Sequence, residues 1–296
     1  MKEKPFSKYQ ILANAVMIIW TLAIILPFIL LFMSSITDEN TLVANGYSFF
    51  PKKFSLASYS YIIKSGGQIL KAYGVSIGVT VVGTLLNVLL SALMAYPLSV
   101  KNLPGRNVMM FFVFFTMLFN GGIVPSYIMW TGTFHIKDTI FAQLLPNFLL
   151  SAWNVMMIRT YFTTSIPDGL YEAAEIDGAS QFTIFWKIVL PLGKPILVTM
   201  GTFAGLAYWN DWTNGLYYIV KNTGLYNVQN LLNQMVQNIQ FLTQSSNSNV
   251  TVAASTIPAT GIQMAIAFVA ILPIMLIFPS FQKYYAKGIA LGAVKG

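Results

Sequence analysis

The chain has 296 residues, of which 56% are hydrophobic and only 9% charged, and its formal net charge is +8. A soluble domain carries about 25% charged residues, so this composition excludes a fully water-facing surface and calls for one that faces lipid. Cysteine is absent and histidine occurs once, at His135, which excludes disulfides, thiolate sites and a histidine metal cluster. The basic residues are scattered between apolar runs rather than gathered into a nucleic-acid patch.

Spanning a bilayer core takes roughly 20 apolar residues. Six runs meet that need, at about 11–33, 74–99, 108–130, 139–159, 196–219 and 262–281, so the sequence predicts an all-α membrane protein with six transmembrane helices and one domain over 1–296. The first run is too long for a cleaved signal peptide and no small-residue cleavage site follows it. With the N-terminus inside, eleven of the Lys and Arg residues fall on cytoplasmic segments and six on outer ones, the bias expected for this topology. Both termini are then cytoplasmic, two long loops (35–73 and 220–261) face out and one (160–195) faces in.

Along the chain, Pro51–Phe54 reads as a turn before Tyr59–Ile63. In the second span, Asn87 and Ser91 suit a solute path and helix–helix contacts equally. Asn120-Gly121-Gly122, followed by Pro125, interrupts the third span, and broken helices in transporters either line cavities or pack closely through glycine. The fifth span holds Tyr208-Trp209-Asn210-Asp211-Trp212. Aromatic faces and amides suit sugars, yet the same group lies far along the helix, where an interfacial aromatic belt is ordinary. Asn120, Gly121, Tyr208, Trp209, Asn210 and Asp211 are thus candidates for a translocation path. In the second outer loop, Leu231, Leu232, Met235, Val236 and Ile239 interleave with Asn and Gln at helical spacing, which predicts an amphipathic helix.

The inner segment 165–191 is the most informative. Pro167 fits a first helical turn, and Asp168 sits where the helix dipole favours an anion. Gly178 fits a C-terminal stop, and Ser180 can cap a second short helix that ends before Pro191. Asp168, Glu172 and Glu175 share one side, while Phe182, Phe185 and Trp186 are candidates to bury the second helix. Charge alone would make this an ordinary solvated acidic face.

The wording Glu172-Ala173-Ala174, Asp177-Gly178-Ala179 and Ile188-Val189-Leu190-Pro191, placed between the fourth and fifth spans, resembles the EAA loop of binding-protein-dependent ABC importer permeases. The tail, Phe281 to Gly288 and then Gly292 to Gly296, is similar to that of carbohydrate-uptake permeases of the maltose-transporter (MalG-like) type. The resemblance covers essentially the whole chain and implies a type I ABC importer permease fold with a cytoplasmic coupling helix. It also implies ATPase coupling through Glu172, Ala173, Ala174, Asp177, Gly178, Ala179, Leu190 and Pro191, and a 282–296 tail reaching the ATPase through Lys287, Gly288, Gly292, Lys295 and Gly296. By position in the family, the outer loop around Gln244, Asn247 and Asn249 would touch the binding protein.

The implied partners are a second, homologous permease in a heterodimer, two copies of a cytoplasmic ATPase that binds ATP and magnesium, an extracytoplasmic sugar-binding protein, and membrane lipid. The chain itself would hold no cofactor and no catalytic residue, since it has no G-x-x-x-x-G-K-[ST] loop and no His-Glu-x-x-His. The alternatives are an importer permease for a non-sugar solute or a stand-alone secondary transporter. The latter needs intramembrane coupling groups and usually internal repeats; only Asp211 qualifies, and no repeat is evident.

Overall fold

The computed structural model describes residues 8–64, 66–244 and 259–293. They form α1 (Lys8–Ser35), α2 (Glu39–Asn45), α3 (Ala57–Lys64), α4 (Gly66–Ser99), α5 (Arg106–Leu118), α6 (Ile123–Thr133), α7 (Phe141–Leu144), α8 (Ala152–Ser165), α9 (Asp168–Ile176), α10 (Gln181–Leu192), α11 (Lys194–Asn210), α12 (Thr213–Tyr218), α13 (Val228–Gln244) and α14 (Ala259–Ala293). Among the described residues there is no strand, only an isolated bridge between Thr37 and Phe54.

Among the described residues three helices are long and apolar enough to cross a membrane, α1, α4 and α14, and two bent pairs pass the same test together. Helices α5 and α6 meet at 109° and α10 and α11 at 78°. The first bend falls on Phe119–Gly122. Asn120 Oδ1 accepts the Gly122 N–H at 2.8 Å, and Gly122 has φ +86°, a conformation that favours glycine. The predicted interruption of the third run is therefore a sharp corner.

The fourth run is not one helix. Residues 139–159 divide into α7, an irregular stretch over 145–151, and the start of α8. Pro146 has no N–H to continue α7, and Asn147 adopts φ +67°. The fifth run breaks too, because α11 ends at Asn210 and α12 begins at Thr213. The sixth continues well past its expected end, with α14 helical to Ala293.

The chain forms two compact units. The first contains α1 to α3, most of α13 and the opening part of α14. Its α1 is apolar on all sides and largely exposed, as a lipid-facing span must be. Phe32 of α1 lies 4.9 Å from Phe268 of α14, centroid to centroid. Ser35 Oγ and the Tyr59 hydroxyl are 2.8 Å apart. The Glu39 carboxylate accepts the N–H groups of Thr260 and Gly261 at 2.9 and 2.8 Å, which satisfies two donors at the α14 N-terminus.

The second unit contains most of α4 and α5 to α12. Its core joins Ala92, Ala95 and Leu98 of α4, Val155, Ile158 and Phe162 of α8, Ile184, Phe185 and Val189 of α10, and Ile196 and Met200 of α11.

Candidate coupling site

Local chemistry builds the 167–192 segment. Pro167 precedes α9 in an extended conformation, one position earlier than its expected place in the first turn. Asp168 opens the helix and pairs with Lys101. At the other end the Ala179 N–H donates to Ala174 O at 2.9 Å and the Gly178 N–H to Glu175 O at 3.0 Å. With Gly178 at φ +76°, this is a Schellman stop. Ser180 Oγ then accepts the Thr183 N–H at 3.2 Å and caps α10.

Helix α10 does not end before Pro191. A wide π-turn over Phe185–Val189 carries the chain through Pro191 to Leu192. Only one of the three aromatics expected to bury this helix does so. Phe185 is 1% exposed, whereas Phe182 and Trp186 are 65% and 46% exposed. Residues 182 and 186 are one turn apart on the opposite face, and their rings contact each other instead at 6.0 Å. Gly193 makes the bend into α11, where a Cβ would meet Phe162 Cε1 at 2.5 Å and Val189 O at 2.9 Å.

The segment is clamped to the end of α4. The Tyr96 hydroxyl donates to Gln181 Oε1 at 2.6 Å, and the Tyr96 ring lies 6.4 Å from Tyr171 and 5.4 Å from Phe185. Burial, with the neighbouring Tyr96, pushes the Tyr171 hydroxyl up to about 12. Arg159 Nε donates to Leu98 O at 3.2 Å. Sequence reasoning missed Tyr96, Lys101 and Tyr171, because each acts on residues far along the chain.

What this scaffold presents is distinct. Ala174 is buried against it. Glu172, Ala173, Asp177 and Gly178 are exposed, Ala179 and Leu190 are half-buried, and Pro191 is exposed. The carboxylates do not behave alike. Asp168 has Lys101, and Glu175 Oε1 accepts from Gln181 Nε2 at 2.9 Å. Glu172 has no hydrogen bond or ion pair among the described residues. One turn on from it, on the same face, stands an exposed apolar side chain, Ile176 at 86%.

The path candidates are placed differently from one another. Asn120, Gly121 and Asn210 are exposed. Tyr208, Trp209 and Asp211 are buried at 1%, 7% and 5%; the Trp209 ring lies 6.4 Å from that of Tyr73, while Tyr208 and Asp211 serve a polar network. The irregular 145–151 stretch and its approach leave helical carbonyls free, and such groups away from water need partners. Leu144 O accepts from the Tyr208 hydroxyl at 2.8 Å, Pro146 O from Asn214 Nδ2 at 3.1 Å and Phe148 O from Asn87 Nδ2 at 2.6 Å. Asn87 also accepts from Asn154 at 2.8 Å, so its expected role in helix contacts is realised. Asp211 Oδ1 accepts from the Thr213 N–H and hydroxyl and starts α12, while Asn227 Nδ2 donates to Asp211 O at 2.6 Å.

A second carboxylate pins another corner. Asp138 Oδ1 accepts from the backbone N–H groups of Val220, Lys221 and Asn222 at 2.7, 2.7 and 3.3 Å. Those bonds hold its carboxyl below the usual carboxylate range.

Helix α13 confirms the expected amphipathic helix, with Val228 and Leu231 buried. Gln244 is its last residue; Asn247 and Asn249 lie outside the described residues. Lys287, Gly288 and Gly292 fall on α14, and Lys295 and Gly296 lie outside the described residues. Among the described residues no three His, Cys, Asp or Glu side chains come together as a metal site.

Comparison with known proteins agrees with this architecture. The chain is 36% identical to Protein LplC of Bacillus subtilis (strain 168) over 272 residues, covering 92% of this chain and 90% of that one. It is 36% identical to the polygalacturonan/rhamnogalacturonan transport system permease protein YtcP of the same organism over 288 residues, 97% of this chain and 98% of the other. A chain in the crystal structure of a bacterial ABC transporter involved in import of the acidic polysaccharide alginate superposes with a TM-score of 0.79 at 26% identity, covering 95% of this chain and all of that one. Residues 74–291, which include α9 with its Schellman stop and the bend at Gly193, match the model for the binding-protein-dependent transport system inner membrane component, and the chain belongs to that family.

Proposed function

We propose that this chain is one of two homologous permease subunits of an ATP-driven importer for a sugar or oligosaccharide, and that α9 is the element through which the ATPase drives it. A permease of this family is a transport subunit rather than an enzyme; its ATPase is a separate chain. The carbohydrate reading is supported by the named transport roles of YtcP and of the alginate importer. A binding protein delivers the solute from outside, and two ATPase copies bind ATP and magnesium inside. The six apolar runs act as spans, with the 139–159 run crossing as a broken helix. Both termini are cytoplasmic, a reading supported by eleven Lys and Arg residues on inner segments against six on outer ones; the pairing of Lys101 with Asp168 keeps their two segments on one side.

The observation that carries the coupling role is the contrast between the two faces of α9. One face is fixed through Ala174 and Tyr171; the other exposes an unpaired Glu172 carboxylate with the exposed Ile176 one turn on. A rigid helix held at both ends transmits displacement as a body, and a free carboxylate beside apolar surface suits a charge-assisted contact with a basic group. Glu172 and Gly178 are the residues committed to that contact, with Ala173, Asp177, Ala179, Leu190 and Pro191 shaping it. In the same reading the α14 tail from Lys287 to Gly296 reaches the ATPase, residues Gln244, Asn247 and Asn249 face the binding protein, and Asn120, Gly121 and Asn210 border the path. Tyr208, Trp209 and Asp211 support that path from behind.

The test is to co-purify Glu172→Ala and Gly178→Asp with the ATPase and to measure hydrolysis stimulated by the binding protein. Both variants insert and express, yet lose docking and transport. Truncating one partner of such a contact costs about 2–5 kcal/mol, and a side chain at Gly178 adds roughly 1–2 kcal/mol of backbone strain. Wild-type docking and stimulation in both variants refute the assignment.

A further inference from the structure

Some glycines in this chain are required by its own packing and others are not. At Gly83, Gly193 and Gly215 an added Cβ would collide with Tyr208, Phe162 and Asn230, so the chain's own packing demands them. At Gly74 and Gly78, on the same helix α4 as Gly83, an added Cβ would meet nothing within 4 Å. Glycine inside a helix is costly relative to alanine, and here no internal contact offsets that cost.

These two residues form part of the floor of an open groove of about 570 Å³ along α4, which extends to Val82 and is faced by Ile140 and Leu144. The volume lies in the range of a small-ligand site, about 300–1,000 Å³, and the lining is apolar apart from Lys71 at one end. Lys71 stands one turn before Gly74 and is exposed. It has no acidic partner among the described residues.

We propose that this groove holds one acyl chain of an anionic phospholipid whose phosphate pairs with Lys71. Charge complementarity selects the occupant. A neutral lipid or an apolar helix would fill the groove and leave the ammonium without a counter-ion, whereas an anionic headgroup meets both ends of the site. The lysine stem can follow the groove wall while its ammonium reaches the headgroup layer. The glycines let the acyl chain lie directly against the α4 backbone.

The full-length chain, purified in mild detergent and exchanged into nanodiscs, is offered phosphatidylglycerol or phosphatidylcholine, and retained lipid is counted by native mass spectrometry. The wild type retains phosphatidylglycerol in preference to phosphatidylcholine. Lys71→Gln lowers phosphatidylglycerol retention about fivefold, the worth of one lysine against an anionic surface, and leaves phosphatidylcholine unchanged. Gly78→Leu, which has room to fit, lowers both; Gly74→Ala is the milder substitute should Gly78→Leu express poorly. Equal retention of phosphatidylglycerol in wild type and Lys71→Gln overturns the proposal. So does efficient disulfide cross-linking of Gly78→Cys to a neighbouring permease chain in the membrane, which would make the groove a helix seam.

Discussion

The Tyr96 hydroxyl donates to Gln181 Oε1 at 2.6 Å, tying the last turns of α4 to the first turn of α10 across 85 residues of sequence. Gln181 in turn donates to Glu175 at the end of α9. One tyrosine on a candidate span therefore holds, through a single amide, both helices of the coupling segment. Tyr96→Phe removes the donor and keeps the ring contacts with Tyr171 and Phe185. It costs about 1 kcal/mol, read as a small drop in thermal unfolding temperature, and a larger fall in stimulated ATP hydrolysis. Lys101→Ala, which removes a surface ion pair with partners 61% and 58% exposed, changes stability by less than about 1 kcal/mol.

Gly193→Ala places a methyl group against Phe162 and the Val189 carbonyl. Overpacking of this kind costs about 1–3 kcal/mol. The 78° bend opens or Phe162 moves, and detergent-solubilised variant unfolds at a lower temperature than wild type. Gly178→Ala, at a position with open space but positive φ, is destabilised by backbone strain alone, so combining it with Phe162→Leu rescues nothing. The same second substitution partly rescues Gly193→Ala.

Asp138 gathers three consecutive N–H groups, and its carboxyl titrates below the ordinary value. The sign follows from that direction. The stabilising contribution is complete above the unfolded value of about 3.9 and is lost as pH falls through the lower folded value. Across neutral and mildly acidic pH the corner stays fixed. Hydrogen exchange at Val220, Lys221 and Asn222 is accordingly slow and shows no extra acid-linked opening down to about pH 5. Asp138→Ala accelerates exchange at all three amides and leaves α9 unchanged.

Glu39→Ala strips two N–H groups at the start of α14 of their acceptors and costs roughly 1–2 kcal/mol, as loss of a helix cap does. Glu39→Gln recovers part of that stability, since the amide oxygen still accepts. The ranking wild type, Gln, Ala in thermal unfolding is the expected result.

The sequence was most legible where a signal and its effect lie within a few residues. Pro167, Gly178 and Ser180 each act on their own helix end, and the apolar runs report directly on lipid contact. The corner at Gly122 belongs to the same class. Legibility failed where the partner is distant. Nothing near Pro146 announces that Tyr208, Asn214 and Asn87 supply the bonds that let the backbone leave the helix there. Because of that, Tyr208 and Asp211 read as candidates for a solute path, although the Tyr208 hydroxyl and Asp211 Oδ1 are engaged inside the protein. Phe182 and Trp186 were misread for another reason: helical spacing says which side chains share a face, not which face is inward.

The bond from Glu39 to Thr260 and Gly261 joins positions 221 and 222 residues apart. During synthesis α1 and α2 emerge long before α14 exists, so the first unit stays incomplete until the start of α14 has been made. Its exposed Glu39 carboxylate and the face around Phe32 must wait, while α4 to α12 find their partners earlier. A chain truncated before Ala259 would leave that unit permanently open, and membrane quality control would meet it as an unfinished protein rather than a shorter permease.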